Sequence, residues 1–300
     1  MNLPSPIEQL HSDLFSQHNV EVYVKRDDLI DPVISGNKWR KLKFNIEKFK
    51  AGRYDKLLTF GGAYSNHISA TARAGKELGV KTIGIVRGDE LKADANDTLR
   101  QASADGMELI FTKREEYALR DEKYYHEELR RRHGNIWIVP EGGSNYYGVL
   151  GCQEILKEVD IPFTHVITAC GTGTTATGLL LSSSSEVIGV SALKGGDFLT
   201  ENIKNHLMTL SLPESHISDV MGRFVLQTGY HFGGYAKYNK ELLEFIETFE
   251  DQYKIPLDQV YTGKMMYALL DLIEQNYFPE NSKIIALHTG GLQGKKGLKK

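Results

Sequence analysis

Short apolar segments alternate with helix-length segments along most of this 300-residue chain. The apolar segments are rich in Ile, Val and Leu and are mostly apolar on both faces, which is typical of buried parallel strands. They are KLLTF (56–60), KTIGIV (81–86), MELIFT (107–112), NIWIVP (135–140), THVITA (164–169), EVIGVS (186–191) and KIIALH (283–288). The helix-length segments include 66–78, 96–104, 123–132, 148–158 and 263–275. The alternation predicts an α/β protein built on open, doubly wound parallel sheets.

The composition narrows the classes of function. With 41% hydrophobic residues the chain can bury a large core, and its length predicts two domains or one large α/β domain. A net charge of −3 does not indicate a nucleic-acid partner. Cys152 and Cys170 give no disulfide framework or zinc-ligand spacing and fit a reducing compartment. The N-terminal segment does not resemble a secretory signal, and the chargeless run 161–185 is too rich in Gly, Thr and Ser for a membrane span. We therefore expect a cytoplasmic protein.

A glycine-containing loop, GGAYSNH (61–67), directly follows the first of these strands. In doubly wound sheets, ligands bind beyond the carboxyl ends of the strands. Ser65 and Asn66 are good N-cap residues, so the next helix is expected to begin there. A helix start offers free N–H groups and a positive dipole end, which suit a carboxylate or a phosphate. The alternative is a plain cap in a tight turn.

A second loop, CGTGTTATGL (170–179), follows the strand THVITA. Backbone amides and the hydroxyls of three threonines are suitable donors to a phosphate. The dinucleotide fingerprint would need glycine at 176, which is alanine, and the Walker pattern would need lysine after Gly178. The loop therefore favours a single phosphate group, with a structural strand-to-helix turn as the alternative.

The remaining candidates are a lysine and two tyrosine-bearing segments. Lys38 in SGNKWRKL (35–42) follows the strand-like run EVYVKRDD (21–28) and lies at the start of a helix-like run, so it is either part of a solvated basic helix face or a chemical reagent. Tyr261 and Thr262 lie in VYTGK (260–264), and Tyr235 lies in GGYAKY (233–238). The strand KIIALH leads into a further glycine loop, HTGG (288–291). The sequence has no metal-ligand spacing, no obvious acid pair and no G-x-S-x-G elbow.

Five of these motifs occur in the same order and at similar spacing in one known family. SGNKWRKL, GGAYSNH, CGTGTTATG, VYTGK and HTGG resemble motifs of pyridoxal-phosphate enzymes with the tryptophan-synthase-β-like fold, known as fold type II. The most similar branch is D-cysteine desulfhydrase and 1-aminocyclopropane-1-carboxylate deaminase. The resemblance runs from about Val24 to Gly291. It implies the cofactor pyridoxal 5′-phosphate and a small amino-acid substrate.

The resemblance also implies roles for individual residues. Lys38 would form the Schiff base with the cofactor, and burial would lower its pKa and make it nucleophilic. The catalytic residues implied are Lys38, Ser65 and Tyr261. The cofactor-binding residues implied are Lys38, Asn66, Gly171, Thr172, Gly173, Thr174, Thr175, Thr262 and Thr289. The substrate-binding residues implied are Ser65, Asn66, His67, Tyr235 and Tyr261.

Position 262 distinguishes between the two activities of the family. The resemblance places Thr262 beside the pyridine nitrogen, where family deaminases carry glutamate. Threonine has no charge and shares only a hydrogen bond, so the ring would be a weaker electron sink. A weaker sink suffices when sulfide leaves from Cβ, which favours β-elimination on a D-cysteine-like amino acid to give a keto acid, ammonia and sulfide. The alternatives are a 1-aminocyclopropane-1-carboxylate deaminase that forms 2-oxobutyrate, and a nucleotide- or anion-binding protein without catalysis.

The resemblance also implies an arrangement of domains. We expect a smaller α/β domain at 46–145 and a larger one formed by 1–45 and 146–300, with the cofactor in the cleft between them. Family members are usually homodimers. This chain has Tyr64 where the family usually has glutamine, a compact region at 192–232 and a short continuation after HTGG. These departures bear on the choice of substrate.

Overall fold

The fold is described from a computed structural model, which covers residues 1–34, 36–292 and 295. The chain divides into two compact units. The first unit contains residues 1–31, 35–37 and 149–300, and the second contains 32–34 and 38–148. The smaller domain expected from the sequence, 46–145, lies within the second unit, which begins earlier because it includes all of one long helix after its first residue.

The described residues form ten strands and twelve α-helices. The strands are β1 (Ile7–Leu10), β2 (Glu21–Lys25), β3 (Lys56–Gly61), β4 (Lys81–Arg87), β5 (Glu108–Thr112), β6 (Ile136–Val139), β7 (His165–Cys170), β8 (Glu186–Ser191), β9 (Phe224–Gln227) and β10 (Lys283–Leu287). The helices are α1 (Asp13–Gln17), α2 (Asn37–Ala51), α3 (Asn66–Leu78), α4 (Asp97–Ala104), α5 (Arg114–Tyr117), α6 (Lys123–His133), α7 (Tyr146–Cys152), α8 (Thr174–Ser182), α9 (Phe198–Met208), α10 (Glu214–Met221), α11 (Lys240–Tyr253) and α12 (Thr262–Glu274). Short 3₁₀ turns lie at Asp27–Leu29, Glu141–Gly143 and Leu156–Glu158.

The first unit is built on a six-stranded sheet in the order β1-β2-β10-β7-β8-β9. Only the edge pair β1–β2 is antiparallel, and the other pairs are parallel. Consecutive residues of the central strand β10 lie on opposite faces of the sheet and belong to different hydrophobic clusters. Ile284 packs with residues of α11 and α12, and Ile285 packs with residues of α8 and α9. Both faces of the sheet are therefore covered by helices, as parallel sheets require.

The second unit is built on a four-stranded, fully parallel sheet in the order β5-β4-β3-β6. Side chains again alternate between two clusters along the central strand β3. Leu57 packs with residues of α2 and α3, and Leu58 packs with residues of β4, β6 and α6. The α/β class with two parallel sheets, expected from the alternation of segments, is confirmed.

Every strand proposed from the apolar segments is present, with ends that differ by at most one residue. The sequence analysis did not identify β1 and β9, which are four-residue strands at the two edges of the first sheet. Edge strands are only half-covered, so their residues need not form a continuous apolar run. The expected helix at 148–158 is instead α7 followed by a 3₁₀ turn. No helix in the described part of the chain has the length and hydropathy needed to span a membrane.

Candidate functional site

The phosphate-type loop expected at 170–179 lies at the carboxyl end of β7 and leads into α8. Gly173 takes φ +83° immediately before the helix, and it has no side chain to cap the first turn. The hydroxyls of Thr172 and Thr174 lie 3.0 Å apart, within hydrogen-bond distance. The loop thus combines a helix start without a side-chain cap and a pair of hydroxyls, which are donors that suit a phosphate.

Gly36 and Asn37, the two residues just before Lys38, belong to the first unit and contact two of its loops. Gly36 has φ +64°, and a Cβ placed on it would lie only 1.7 Å from the carbonyl oxygen of Thr289. The next residue, Asn37, donates its side-chain amide to the hydroxyl of Thr175 at 3.0 Å. Within the first unit, Gly36 is therefore packed against the HTGG loop and Asn37 is bonded to the phosphate-type loop. Only glycine at position 36 allows this approach.

His288 has a structural role in the HTGG loop. It is fully buried, with its Nε2 2.7 Å from the carbonyl oxygen of Pro256, and its Nδ1 accepts from the backbone N–H of Gly290 at 3.2 Å. Both ring nitrogens thus bond to backbone atoms, and the tautomer with the proton on Nε2 satisfies both bonds. These two bonds hold His288 and Gly290, the residues on either side of Thr289, in place.

Thr262 is fully buried at the start of α12, and its hydroxyl is bonded to Asp258. It donates to Oδ1 of that aspartate at 2.7 Å and accepts from its backbone N–H at 2.9 Å. The same carboxylate accepts from the backbone N–H groups of Val260, Tyr261 and Thr262. A hydroxyl has one proton and two lone pairs. The two bonds to Asp258 use the proton and one lone pair of Thr262, and the second lone pair is not used by them.

Two of the predicted tyrosines lie side by side in the first unit. The rings of Tyr235 and Tyr261 are 6.1 Å apart at an interplanar angle of 67°, an edge-to-face arrangement. Tyr261 also packs against the phosphate-type loop, since a Cβ placed on Gly171 would lie 3.2 Å from its Cε1 atom. Tyr235 is 52% exposed, whereas Tyr261 is half-buried.

In the second unit, Lys38 and His67 form the other group of candidates. Lys38 is half-buried, and Lys41 lies three residues later on the same face of α2 and is 4% exposed. His67 is 2% exposed, and neither ring nitrogen has a hydrogen-bond partner among the described residues. Burial, and then the charges of Lys38 and Lys41, hold the pKa of His67 well below its usual value. The imidazole is therefore neutral and available to a polar ligand.

Ser65 and Asn66 are placed at the start of α3, as the sequence predicts. The Ser65 hydroxyl caps the helix by accepting from the N–H of Ile68 at 3.3 Å, which uses one of its two lone pairs. The turn is tight, because a Cβ on Gly61 would lie 2.6 Å from the Ser65 Oγ atom. Ser65 and Asn66 are half-buried, while Tyr64 is 56% exposed.

The sequence analysis missed three residues that shape these two groups. Asp258 and Lys264 flank Tyr261 and Thr262, and Lys41, which was not among the candidates, is buried. The i, i+3 spacing of Lys38 and Lys41 was a usable signal, since such residues share a helix face. Asp258, an acceptor just ahead of α12, was a second usable signal, whereas no sequence pattern indicates that Lys264 is bonded in the interior.

Comparison with known proteins identifies the family. A family model described as "Pyridoxal-phosphate dependent enzyme" matches residues 2–290. This chain belongs to the pyridoxal-phosphate-dependent enzymes. The resemblance inferred from the five motifs is thereby confirmed, together with the cofactor and the fold.

Several curated relatives match over nearly the full length of the chain. A putative 1-aminocyclopropane-1-carboxylate deaminase of Pyrococcus horikoshii is 30% identical over 97% of this chain and 90% of its own. The bifunctional D-cysteine desulfhydrase/1-aminocyclopropane-1-carboxylate deaminase of Arabidopsis thaliana is 30% identical over 98% of this chain and 77% of its own. A D-cysteine desulfhydrase of Yersinia pestis is 29% identical over 96% of this chain and 91% of its own. The chain is therefore an enzyme of the 1-aminocyclopropane-1-carboxylate deaminase/D-cysteine desulfhydrase family.

Solved structures agree with this assignment. The crystal structure of a 1-aminocyclopropane-1-carboxylate deaminase homologue superposes with a TM-score of 0.81 at 28% identity, covering 98% of this chain and 91% of that one. Threonine deaminase isoform 2 from Solanum lycopersicum superposes with a TM-score of 0.67 at 18% identity, covering 96% and 79%, and supports the fold alone.

The described residues are chemically suited to pyridoxal phosphate. The loop before α8 offers hydroxyls and backbone N–H groups to a phosphate, and His67 presents a buried imidazole without a hydrogen-bond partner among the described residues. Buried polar groups in native proteins are normally hydrogen-bonded, so such an imidazole indicates a ligand-binding position. The side chain of Lys38 is an amine, the group with which an aldehyde such as that of pyridoxal phosphate reacts.

Proposed function

We propose that this enzyme catalyses β-elimination on a D-cysteine-like amino acid. Water and D-cysteine would give pyruvate, ammonia and hydrogen sulfide, so that one C–S bond and one C–N bond are broken. The observation that carries the proposal is the uncharged, buried hydroxyl of Thr262, which is bonded to Asp258. A neutral group there suits a reaction with a good leaving group on Cβ.

Pyridoxal phosphate, when bound, supplies an aldehyde that bonds to amines and a ring that withdraws electrons from the substrate Cα. Gly171 to Thr175 would hold its phosphate through hydroxyls and the N–H groups at the start of α8. Lys38 would hold its aldehyde carbon, and Thr262 would turn its hydroxyl proton from Asp258 to the unprotonated ring nitrogen. Asn66 and Thr289 are proposed as further contacts to the cofactor.

The chain's own side chains would then orient the substrate and move its protons. Ser65 and the N–H groups at the start of α3 suit the substrate carboxylate. Lys38 is proposed to take the Cα proton on its Nζ atom, directly or through the Ser65 hydroxyl. His67, as a neutral imidazole, and the rings of Tyr235 and Tyr261 would contact the substrate. Tyr261 is the proposed proton carrier toward the leaving group.

A second candidate activity is the deamination of 1-aminocyclopropane-1-carboxylate. It is favoured by the names of relatives, such as the Pyrococcus horikoshii protein, which is 30% identical. Opening the cyclopropane ring requires a carbon leaving group, which demands a stronger electron sink than sulfide does. The threonine at position 262 therefore favours D-cysteine.

One comparison tests the choice. Purified enzyme would be incubated separately with D-cysteine, L-cysteine and 1-aminocyclopropane-1-carboxylate, and sulfide, pyruvate and 2-oxobutyrate would be quantified. We expect sulfide and pyruvate in equal amounts from D-cysteine and little 2-oxobutyrate. Efficient formation of 2-oxobutyrate without sulfide release would reject the proposal in favour of the deaminase. A homodimer and a cytoplasmic location stay predictions.

A further inference from the structure

Lys264 is a buried lysine in the first turn of α12, two residues after Thr262. It is only 1% exposed. A buried ammonium is costly unless its N–H groups are bonded. Burial lowers its pKa to about 8, with the charge of Asp258 acting in the opposite direction, so the group is still largely charged at pH 7. The role of this charge is not explained by the cofactor and substrate contacts proposed above.

Among the described residues, the hydrogen-bond acceptors of Lys264 are backbone carbonyl oxygens in two loops. The Nζ atom lies 2.8 Å from the carbonyl oxygen of His231, 2.9 Å from that of Gly234 and 3.5 Å from that of Ala192. Ala192 directly follows β8, and the other two residues lie in the 228–239 loop that follows β9. One ammonium thus joins the loops at the carboxyl ends of two neighbouring parallel strands.

Within the 228–239 loop, Lys264 bonds to two consecutive turns. The carbonyl of His231 also accepts from the N–H of Gly234, and the carbonyl of Gly234 also accepts from the N–H of Lys237. The backbone here takes positive φ at Phe232, Gly233, Gly234 and Ala236. Such conformations are unfavourable for Phe and Ala and persist only when the surroundings hold them. Lys264 provides charge-assisted hydrogen bonds that do so.

The loop carries Tyr235, which is the residue after Gly234. Tyr235 is 52% exposed, and its ring packs edge-on against that of Tyr261. Tyr261 in turn packs against Gly171 of the phosphate-type loop. The contacts run from the ammonium through the carbonyl of Gly234 to the two tyrosines.

We propose that Lys264 is a positioning residue that holds the 228–239 loop in its turn conformation and thereby keeps Tyr235 beside Tyr261. The inference rests on the proposed function only in that it takes these tyrosines as substrate contacts. The hydrogen bonds between Lys264 and the loop do not depend on the proposed function, and they can be tested in the absence of substrate.

Hydrogen exchange measured by mass spectrometry on the holoenzyme provides the first test. In Lys264→Met, we expect amides at 231–237 to exchange about tenfold faster or more, because their turns lose charge-assisted bonds. The matched control is Lys240→Met, which makes the same substitution at an exposed lysine directly after the loop. Unchanged exchange at 231–237 in Lys264→Met would overturn the inference. If that variant does not fold, Lys264→Gln, which keeps an N–H donor without the charge, carries the same test and must also exchange faster.

Steady-state kinetics on D-cysteine provides the second test. We expect Lys264→Met to raise KM about tenfold, with kcat within about threefold and an unchanged visible absorption of the bound cofactor. A structural role alone would instead lower the fraction of active enzyme and leave KM unchanged. If wild-type enzyme does not act on D-cysteine, the proposed function fails, while the exchange measurement still decides the role of Lys264.

A double-mutant comparison tests whether Lys264 acts through Tyr235. If it does, Tyr235→Ala should raise KM to a similar extent, and adding Lys264→Met to Tyr235→Ala should change KM by less than about twofold. Multiplicative effects of the two substitutions would show that Lys264 acts independently of Tyr235, and would overturn the positioning role.

Discussion

The candidate residues of the two units differ in how far their polar side chains are satisfied. In the first unit, hydroxyls are already bonded within the protein: Thr175 accepts from Asn37, and Thr262 bonds to Asp258. In the second unit, both ring nitrogens of the buried His67 have no hydrogen-bond partner among the described residues. The hydroxyls of the first unit are therefore held in place by hydrogen bonds within the protein. The imidazole of His67 in the second unit is a buried polar group to which a ligand can hydrogen-bond.

The two groups also differ in charge. The phosphate-type loop of the first unit offers hydroxyls and backbone N–H groups to an anion. In the second unit, burial is the largest cause that lowers the pKa of His67, and the charges of Lys38 and Lys41 lower it further. Neutral, fixed donors suit the binding of a cofactor, whereas an amine and a neutral imidazole suit bond formation and proton transfer. In the proposed function, cofactor binding would therefore fall mainly to the first unit, and bond formation and proton transfer mainly to the second.

The largest effect should come from the amine of the second unit. We expect Lys38→Ala to lower the rate of D-cysteine breakdown by at least about 10³-fold. The substitution removes the amine that is proposed to bond to the cofactor and to take the Cα proton. The visible absorption of the linked cofactor should disappear as well. Lys43→Ala, five residues further along the same helix, should keep both. Substantial turnover of D-cysteine by Lys38→Ala would contradict the proposal that the second unit provides the reactive amine.

The next largest effect concerns the shape of the first unit. Gly36→Ala places a Cβ against the carbonyl oxygen of Thr289 and should lower the free energy of unfolding by about 3 kcal/mol or more. Gly195→Ala is the matched control, because Gly195 has a similar φ of +68° with no atom within 4 Å of the added Cβ. It should cost only about 1 kcal/mol, from backbone strain. Denaturant unfolding measures both, and equal losses would mean that the close approach to Thr289 is unimportant.

A smaller effect is expected from a single hydroxyl of the phosphate-type loop. Thr175→Val keeps the shape of the side chain but removes the acceptor for the Asn37 amide and a donor for a phosphate. We expect the affinity for pyridoxal phosphate to fall about tenfold, which corresponds to roughly 1.4 kcal/mol. Ser182→Ala, at the other end of α8, should leave the affinity unchanged. A titration of the apoenzyme that gives equal affinities for wild type and Thr175→Val would contradict a preformed phosphate loop.

The mildest prediction concerns acid stability. The folded-state pKa of His67 lies well below its unfolded value of 6.5. Below pH 6.5 the unfolded chain therefore binds a proton that the folded chain does not, and stability falls as the pH falls. We expect the wild type to lose up to about 1 kcal/mol more than His67→Gln for each pH unit below 6.5. Urea unfolding between pH 5 and 7 measures this difference, and parallel pH profiles would show that His67 is not held neutral.

The strands and the main loops could be predicted because each depends on local pattern. Buried parallel strands form continuous apolar runs, and glycines at their ends mark loops such as 61–67 and 170–175. The role of Lys264 could not be predicted, since its partners His231 and Gly234 are brought to it by tertiary folding. The burial of Lys41 was missed for a related reason, because a lysine-rich helix resembles a solvated one until its packing is known. Asp258 bonds to residues up to four positions later, so a local signal for its role was present but was overlooked.

The central claim, that Lys38 carries the cofactor, is tested most directly by chemical trapping. Purified holoenzyme would be reduced with borohydride, digested and analysed by peptide mass spectrometry. We expect a pyridoxyl group on the Nζ atom of Lys38, and no such label in Lys38→Ala. A label on Lys41, Lys264 or any other lysine in the wild type, or an enzyme that breaks down D-cysteine without any trapped label, would contradict the account.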